Sequence, residues 1–67
     1  MDTAKLELAA QRHREAEAAL DAARTDLQAE AVAALQQDPQ PGAHAEISRI
    51  TGWSRTYVRR LARRAGR

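Results

Sequence analysis

Positions seven residues apart form a row along the first part of the chain: Leu6, His13, Leu20, Leu27 and Ala34, with Ala9, Ala16 and Ala23 three places after the first three. A Leu-plus-Ala seam with this spacing is the a/d pattern of a coiled coil. From Thr3 to Gln37 there is no Gly or Pro, and Ala, Glu, Gln, Arg and Leu predominate. These side chains lose little rotamer freedom in a helix. The pattern predicts one long helix over about residues 3–37, capped by Asp2 or Thr3 and about 50 Å long. Thr25-Asp26-Leu27-Gln28 has the outline of a capping box, which permits a kink near Arg24. The absence of any breaker there favours continuity. Beyond that point Leu27, Ala31, Val32 and Leu35 rotate the apolar stripe, as expected where the same helix begins to serve a C-terminal unit.

Asp38-Pro39-Gln40-Pro41-Gly42 reads as a loop, because two prolines around one residue followed by Gly cannot continue a helix. After it, Ala45 to Leu61 runs A-E-I-S-R-I-T-G-W-S-R-T-Y-V-R-R-L. Ile47 and Ile50 stand three apart on one predicted helix, at about residues 44–51, and Gly52 supplies a sharp turn. Ser54 caps a second helix, at about residues 54–65, from which Val58 and Leu61 point back inward. This is the order of a helix-turn-helix. Trp53 is expected to cover one end of the core, and the Ser48 hydroxyl to bond back to the preceding turn. Ala43 occupies a slot where Ser or Thr would cap, although Glu46, the other half of a capping box, is present. The fold class expected is all-α: a long N-terminal helix with coiled-coil-like dimerisation, followed by a helix-turn-helix three-helix unit. The chain divides into a dimerisation helix at residues 1–25 and a helix-turn-helix domain at residues 26–67.

The net charge of +2 hides a division. Residues 1–48 carry Lys5, Arg12, Arg14 and Arg24 against nine acids, a balance of −5, whereas the chain from Arg49 onward has seven arginines and no acid, +7. Cations this dense on a small unit repel one another, so they imply a polyanionic partner. On the second short helix Arg55, Thr56, Arg59, Arg60 and Arg63 face away from Val58 and Leu61. Macrodipole stabilisation at a helix C-terminus accounts for Arg63 and Arg64 but not for Arg55, which lies at the positive N-terminal end and calls for an external anion. Double-stranded DNA is the expected partner. Arg55, Thr56 and Arg59 are placed to reach base edges in the major groove; Arg49, Ser54, Tyr57, Arg60, Arg63 and Arg64 are placed for phosphates.

With 67 residues, no Phe and one each of Trp, Tyr and Met, the core can only be small, which makes a partner subunit physically welcome. A homodimer through Leu6, Ala9, His13, Ala16, Leu20, Ala23 and Leu27 supplies one, and the seam fits a parallel or an antiparallel pair. The absence of cysteine excludes disulfides and thiolate metal sites, and points to a reducing, cytoplasmic compartment. No run is long and apolar enough for a membrane span, and the N-terminus does not resemble a signal peptide. His13 and His44 have no nucleophile or carboxylate at a spacing that would build a catalytic or metal centre, so neither an enzyme nor a cofactor is expected.

The Ala45–Leu61 segment resembles that of small actinobacterial helix-turn-helix proteins, with a pattern close to aEIAr.tGysr.yVrrl after a helix ending in Ala and Leu. The resemblance covers about residues 26–64, and loosely the long helix. It implies a core of Ile47, Ile50, Val58 and Leu61, a turn at Gly52 and a cap at Ser54. Such families resemble transcriptional regulators, excisionases and plasmid-associated DNA-binding proteins, and the motif is also similar to the fourth region of sigma factors. Ser48 stands where the family prefers Ala. The competing expectations are a coiled-coil module that captures a protein partner and a nucleoid-associated protein indifferent to sequence.

Overall fold

A computed structural model describes residues 1–37 and 40–66. Asp38 and Pro39, part of the expected loop, lie outside the described residues, as does Arg67. The described residues form three α-helices and no strand: α1 (Ala4–Gln37), α2 (Ala43–Thr51) and α3 (Arg55–Ala65).

The start of α1 is held by short-range bonds. The Ala4 amide donates to the Asp2 carboxylate at 3.0 Å, and the Glu7 amide to the Thr3 carbonyl at 2.8 Å. Asp2 thereby accepts from one of the donors a helix start leaves unpaired. The helix runs unbroken past Arg24, and Thr25 spends its hydroxyl on the Asp21 carbonyl at 3.1 Å. A hydroxyl bonded back to the preceding turn continues a helix and does not restart one.

Only the last third of α1 meets the rest of the chain. Ala31 and Leu35 are buried with Ile47 of α2 and Val58 of α3, and Ala43, Trp53, Leu61 and Ala62 pack around them. Val58 alone is fully enclosed, at 0% exposure. Upstream, α1 projects freely, which stretches the molecule to 60 × 22 × 16 Å. Its radius of gyration, 17.4 Å, compares with about 11 Å for a compact chain of this length.

The α2 helix begins on Gly42, at φ +86°, with no side chain capping it, and Ala43 packs on the core. The Glu46 amide reaches the Gly42 carbonyl at 3.0 Å, while its carboxylate turns to Arg49. The expected capping-box role of Glu46 is thus not taken up. At the other end Gly52, at φ +80°, closes α2 by donating to the Ser48 carbonyl at 2.9 Å. Glycine is favoured there because in this left-handed region a Cβ crowds the carbonyl oxygen of its own backbone.

Two expectations about α2 are corrected. Ile50 is not a core residue: it is 65% exposed, while Ile47 is buried. The buried face is instead centred on Ile47, which α1 and α3 enclose with Ala31, Leu35 and Val58, and Thr51 is half-buried beside it. The Ser48 hydroxyl does not bond back to the preceding turn; it donates forward to the Trp53 carbonyl at 2.5 Å. The Thr51 hydroxyl donates to the Ile47 carbonyl at 2.7 Å and accepts from the Trp53 amide at 3.1 Å. Two side chains of α2 therefore satisfy the backbone of the turn that leads into α3.

Candidate nucleic-acid interface

Ser54 opens α3 as its N-cap, in extended backbone, and its hydroxyl accepts from the Tyr57 amide at 3.1 Å. The Val58 amide donates to the Ser54 carbonyl at 3.0 Å. The cap, the turn and the buried Val58 together fix the rotation of α3 about its axis. With 3.6 residues per turn, burial of Val58, Leu61 and Ala62 leaves Thr56, Arg59, Arg60 and Arg63 within one outward arc of roughly 100°. Arg55 stands at the edge of that arc on the first turn, and Arg64 at the other edge on the last.

All of these side chains are exposed. The ion pairs among the described residues are His13 with Glu17 and Arg49 with Glu46, so no carboxylate there neutralises an arginine of α3. Its first turn holds no acid and its last holds Arg63 and Arg64. The face is therefore a row of cations supported on an uncharged, packed underside. Such a row attracts a polyanion, and guanidinium forks suit phosphate oxygens and guanine edges.

Three residues expected to touch phosphate are already engaged within the chain. Arg49 makes a two-armed contact with the Glu46 carboxylate. That guanidinium holds the Glu46 carboxyl below its usual range by hydrogen bonding and then by charge, and Glu46 raises Arg49 in return. Both groups are exposed, so the pair lies open to solvent and to exchange for another anion. Tyr57 is half-buried: its ring lies 5.0 Å from that of Trp53 at an interplanar angle of 48°, and its hydroxyl accepts from the Gln28 amide at 2.8 Å. Tyr57 thus ties α3 to α1 and keeps one hydroxyl hydrogen free. Ser54 presents little more than its capping oxygen.

The structure adds Gln28, which no spacing rule singles out. Its partner lies 29 positions away, so the sequence carries no local signal for the bond.

The seam residues of α1 are presented to solvent. Leu6 is 68% exposed, Leu20 61% and Leu27 39%, and Ala9, His13, Ala16 and Ala23 are exposed beside them. The His13 ring nitrogen Nδ1 lies 2.9 Å from Glu17 one turn on, so the imidazole leans along the helix surface. No helix of the described residues is long and apolar enough to cross a membrane.

Comparison with models of known families, with curated proteins and with solved structures gives no match.

Proposed function

We propose that the protein is a homodimeric DNA-binding protein, a transcriptional regulator in which α2 and α3 act as a helix-turn-helix and α3 enters the major groove. The arginine face of α3, which no carboxylate among the described residues neutralises, carries the proposal. Arg55, Thr56 and Arg59, near the start of the helix, approach base edges, where an arginine can bond guanine through two donors and a threonine methyl can meet that of thymine. Arg60, Arg63 and Arg64 take phosphates, which set register. Arg49 joins them by exchanging Glu46 for a phosphate. Tyr57 holds the helix at its angle to α1 and has one hydrogen left to donate. The apolar seam of α1 pairs two chains, so that two readers act on one duplex.

Titration of labelled duplexes by anisotropy at low salt tests this directly. Reversal of Arg55 and Arg59 to glutamate is expected to weaken binding by roughly a hundredfold or more, since each bidentate contact is worth about 1–3 kcal/mol. Failure to bind any duplex at low salt overturns the proposal. Equal affinity for unrelated duplexes would point to a nucleoid-associated protein instead.

A further inference from the structure

The proposed homodimer leaves the direction of the pair open, and three features of this chain bear on it. Resting on that reading, we infer that α1 packs antiparallel against α1 of a second copy, crossing at the height of Ala18. Both C-terminal units then stand on one flank of the pair, the centres of their contacts with α1 about 40 Å apart at a rise of ~1.5 Å per residue.

The seam alternates in size, with Leu6, His13, Leu20 and Leu27 at a positions and Ala9, Ala16 and Ala23 at d positions. A parallel pair stacks like on like: leucine meets leucine, His13 meets His13, and alanine layers between them are left underfilled. An antiparallel pair sets a against d. With the crossing at Ala18, Leu27 faces Ala9 of the second copy, Ala23 faces His13, and Leu20 faces Ala16, and symmetry repeats each layer. Every central layer then holds one large and one small side chain, which lets the helices stay evenly spaced and close-packed.

The g flank agrees with this register. Antiparallel pairing brings e positions against e and g against g. Glu17 and Arg24 occupy e, and Arg12 and Asp26 occupy g. In this register Arg12 comes level with Asp26 of the second copy, so the g flank joins opposite charges twice, while on the e flank Glu17 stands nearest its own counterpart with Arg24 of the second copy about one turn farther on.

The placement of the C-terminal unit is the third feature. It contacts α1 at Gln28, Ala31 and Leu35, positions b and e on one side of the seam. In an antiparallel pair the e sides of both helices share a flank, so both units fall on the same face. In a parallel pair they fall on opposite flanks. The contact centre near Ala31 lies about 13 residues from the crossing, or ~20 Å on each side, which sets the separation between units. The same register lays the first turn of the second copy over the shallow groove of Leu27, Ala34, Ile47 and Ile50. Ile50, 65% exposed on the single chain, gains an apolar cover there.

The chain has no cysteine, so single-cysteine variants report orientation cleanly. Ala9→Cys and Leu27→Cys are prepared separately, mixed, and equilibrated in a glutathione redox buffer, with sedimentation of the unsubstituted chain alongside. The main product of the mixture is expected to be the disulfide-linked heterodimer of the two variants. Leu27→Cys alone is expected to stay unlinked, because its two sulfurs stand about 27 Å apart. A dimer in which Leu27→Cys links to itself overturns the antiparallel arrangement and leaves the homodimer intact. Sedimentation as a monomer at every concentration overturns both.

Discussion

Val58 is the side chain on which the C-terminal unit converges. It is fully enclosed in a core whose other buried members are Ala31, Leu35 and Ile47, so there is little around it to collapse into a void. Val58→Ala is expected to cost about 2 kcal/mol, as a shift of the urea midpoint at unchanged slope. Tyr57 shows how one residue divides its surface. Its ring packs on Trp53, and its hydroxyl receives the Gln28 amide. Tyr57→Phe keeps the ring contact and removes the bond, for an expected loss of about 1 kcal/mol of stability. Because the hydroxyl is committed to docking α3 on Gln28, DNA affinity extrapolated to fully folded protein is expected to stay within roughly twofold of the original, a change well under ~1 kcal/mol. The exposed Glu46–Arg49 pair adds a pH term of known sign. Glu46 titrates lower in the folded chain, so its contribution is complete above the ordinary carboxyl value and fades as pH falls through the lowered one.

Among the elements, the segment between α2 and α3 is the most closely specified. Gly52 turns the chain at φ +80°, Ser48 and Thr51 bond the backbone of Trp53, and Ser54 caps α3. A Cβ at Gly52 meets no other part of the chain within 4 Å, so a substitution there tests backbone conformation without a distant clash. Gly52→Ala is expected to lose about 1–2 kcal/mol in thermal unfolding, and Gly52→Asn less, because asparagine tolerates the left-handed region better. The opening of α2 lacks a comparable device. Gly42 carries no capping side chain, and α2 is held chiefly by Ala43 and Ile47 on the core. The long α1 has two regimes. Its last third belongs to the core, and its first two thirds keep Leu6, Leu8 and Leu20 exposed.

For the molecule as a whole, that division would set the geometry of a duplex shared by two copies under the proposed function. In the proposed antiparallel dimer the two C-terminal units, on one face with contact centres about 40 Å apart, approximate the roughly 34–36 Å of one DNA turn. Selection from random duplexes is expected to return an inverted repeat whose half-site centres lie about 10–12 base pairs apart. Repeats in direct orientation, or a single half-site bound as tightly as the pair, would contradict a two-fold dimer acting on one duplex.

The extents of all three helices, the turn at Gly52, the cap at Ser54 and the exposure of Arg55, Thr56, Arg59, Arg60 and Arg63 were readable from the residues. Each depends on interactions within about four positions: backbone bonding, a turn glycine, a cap, the rotation of one side chain relative to the next. Tertiary structure alone decided that Ile50 stays outside while Ile47 goes in, that Ser48 bonds forward to Trp53, and that Gln28 meets Tyr57. Ile47 and Ile50 are equally apolar and share a face by spacing. Which of them is enclosed depends on how α1 and α3 dock against α2, and a pattern confined to one helix does not encode that rotation. The partner of Gln28, 29 positions distant, exists only because three helices close around Val58.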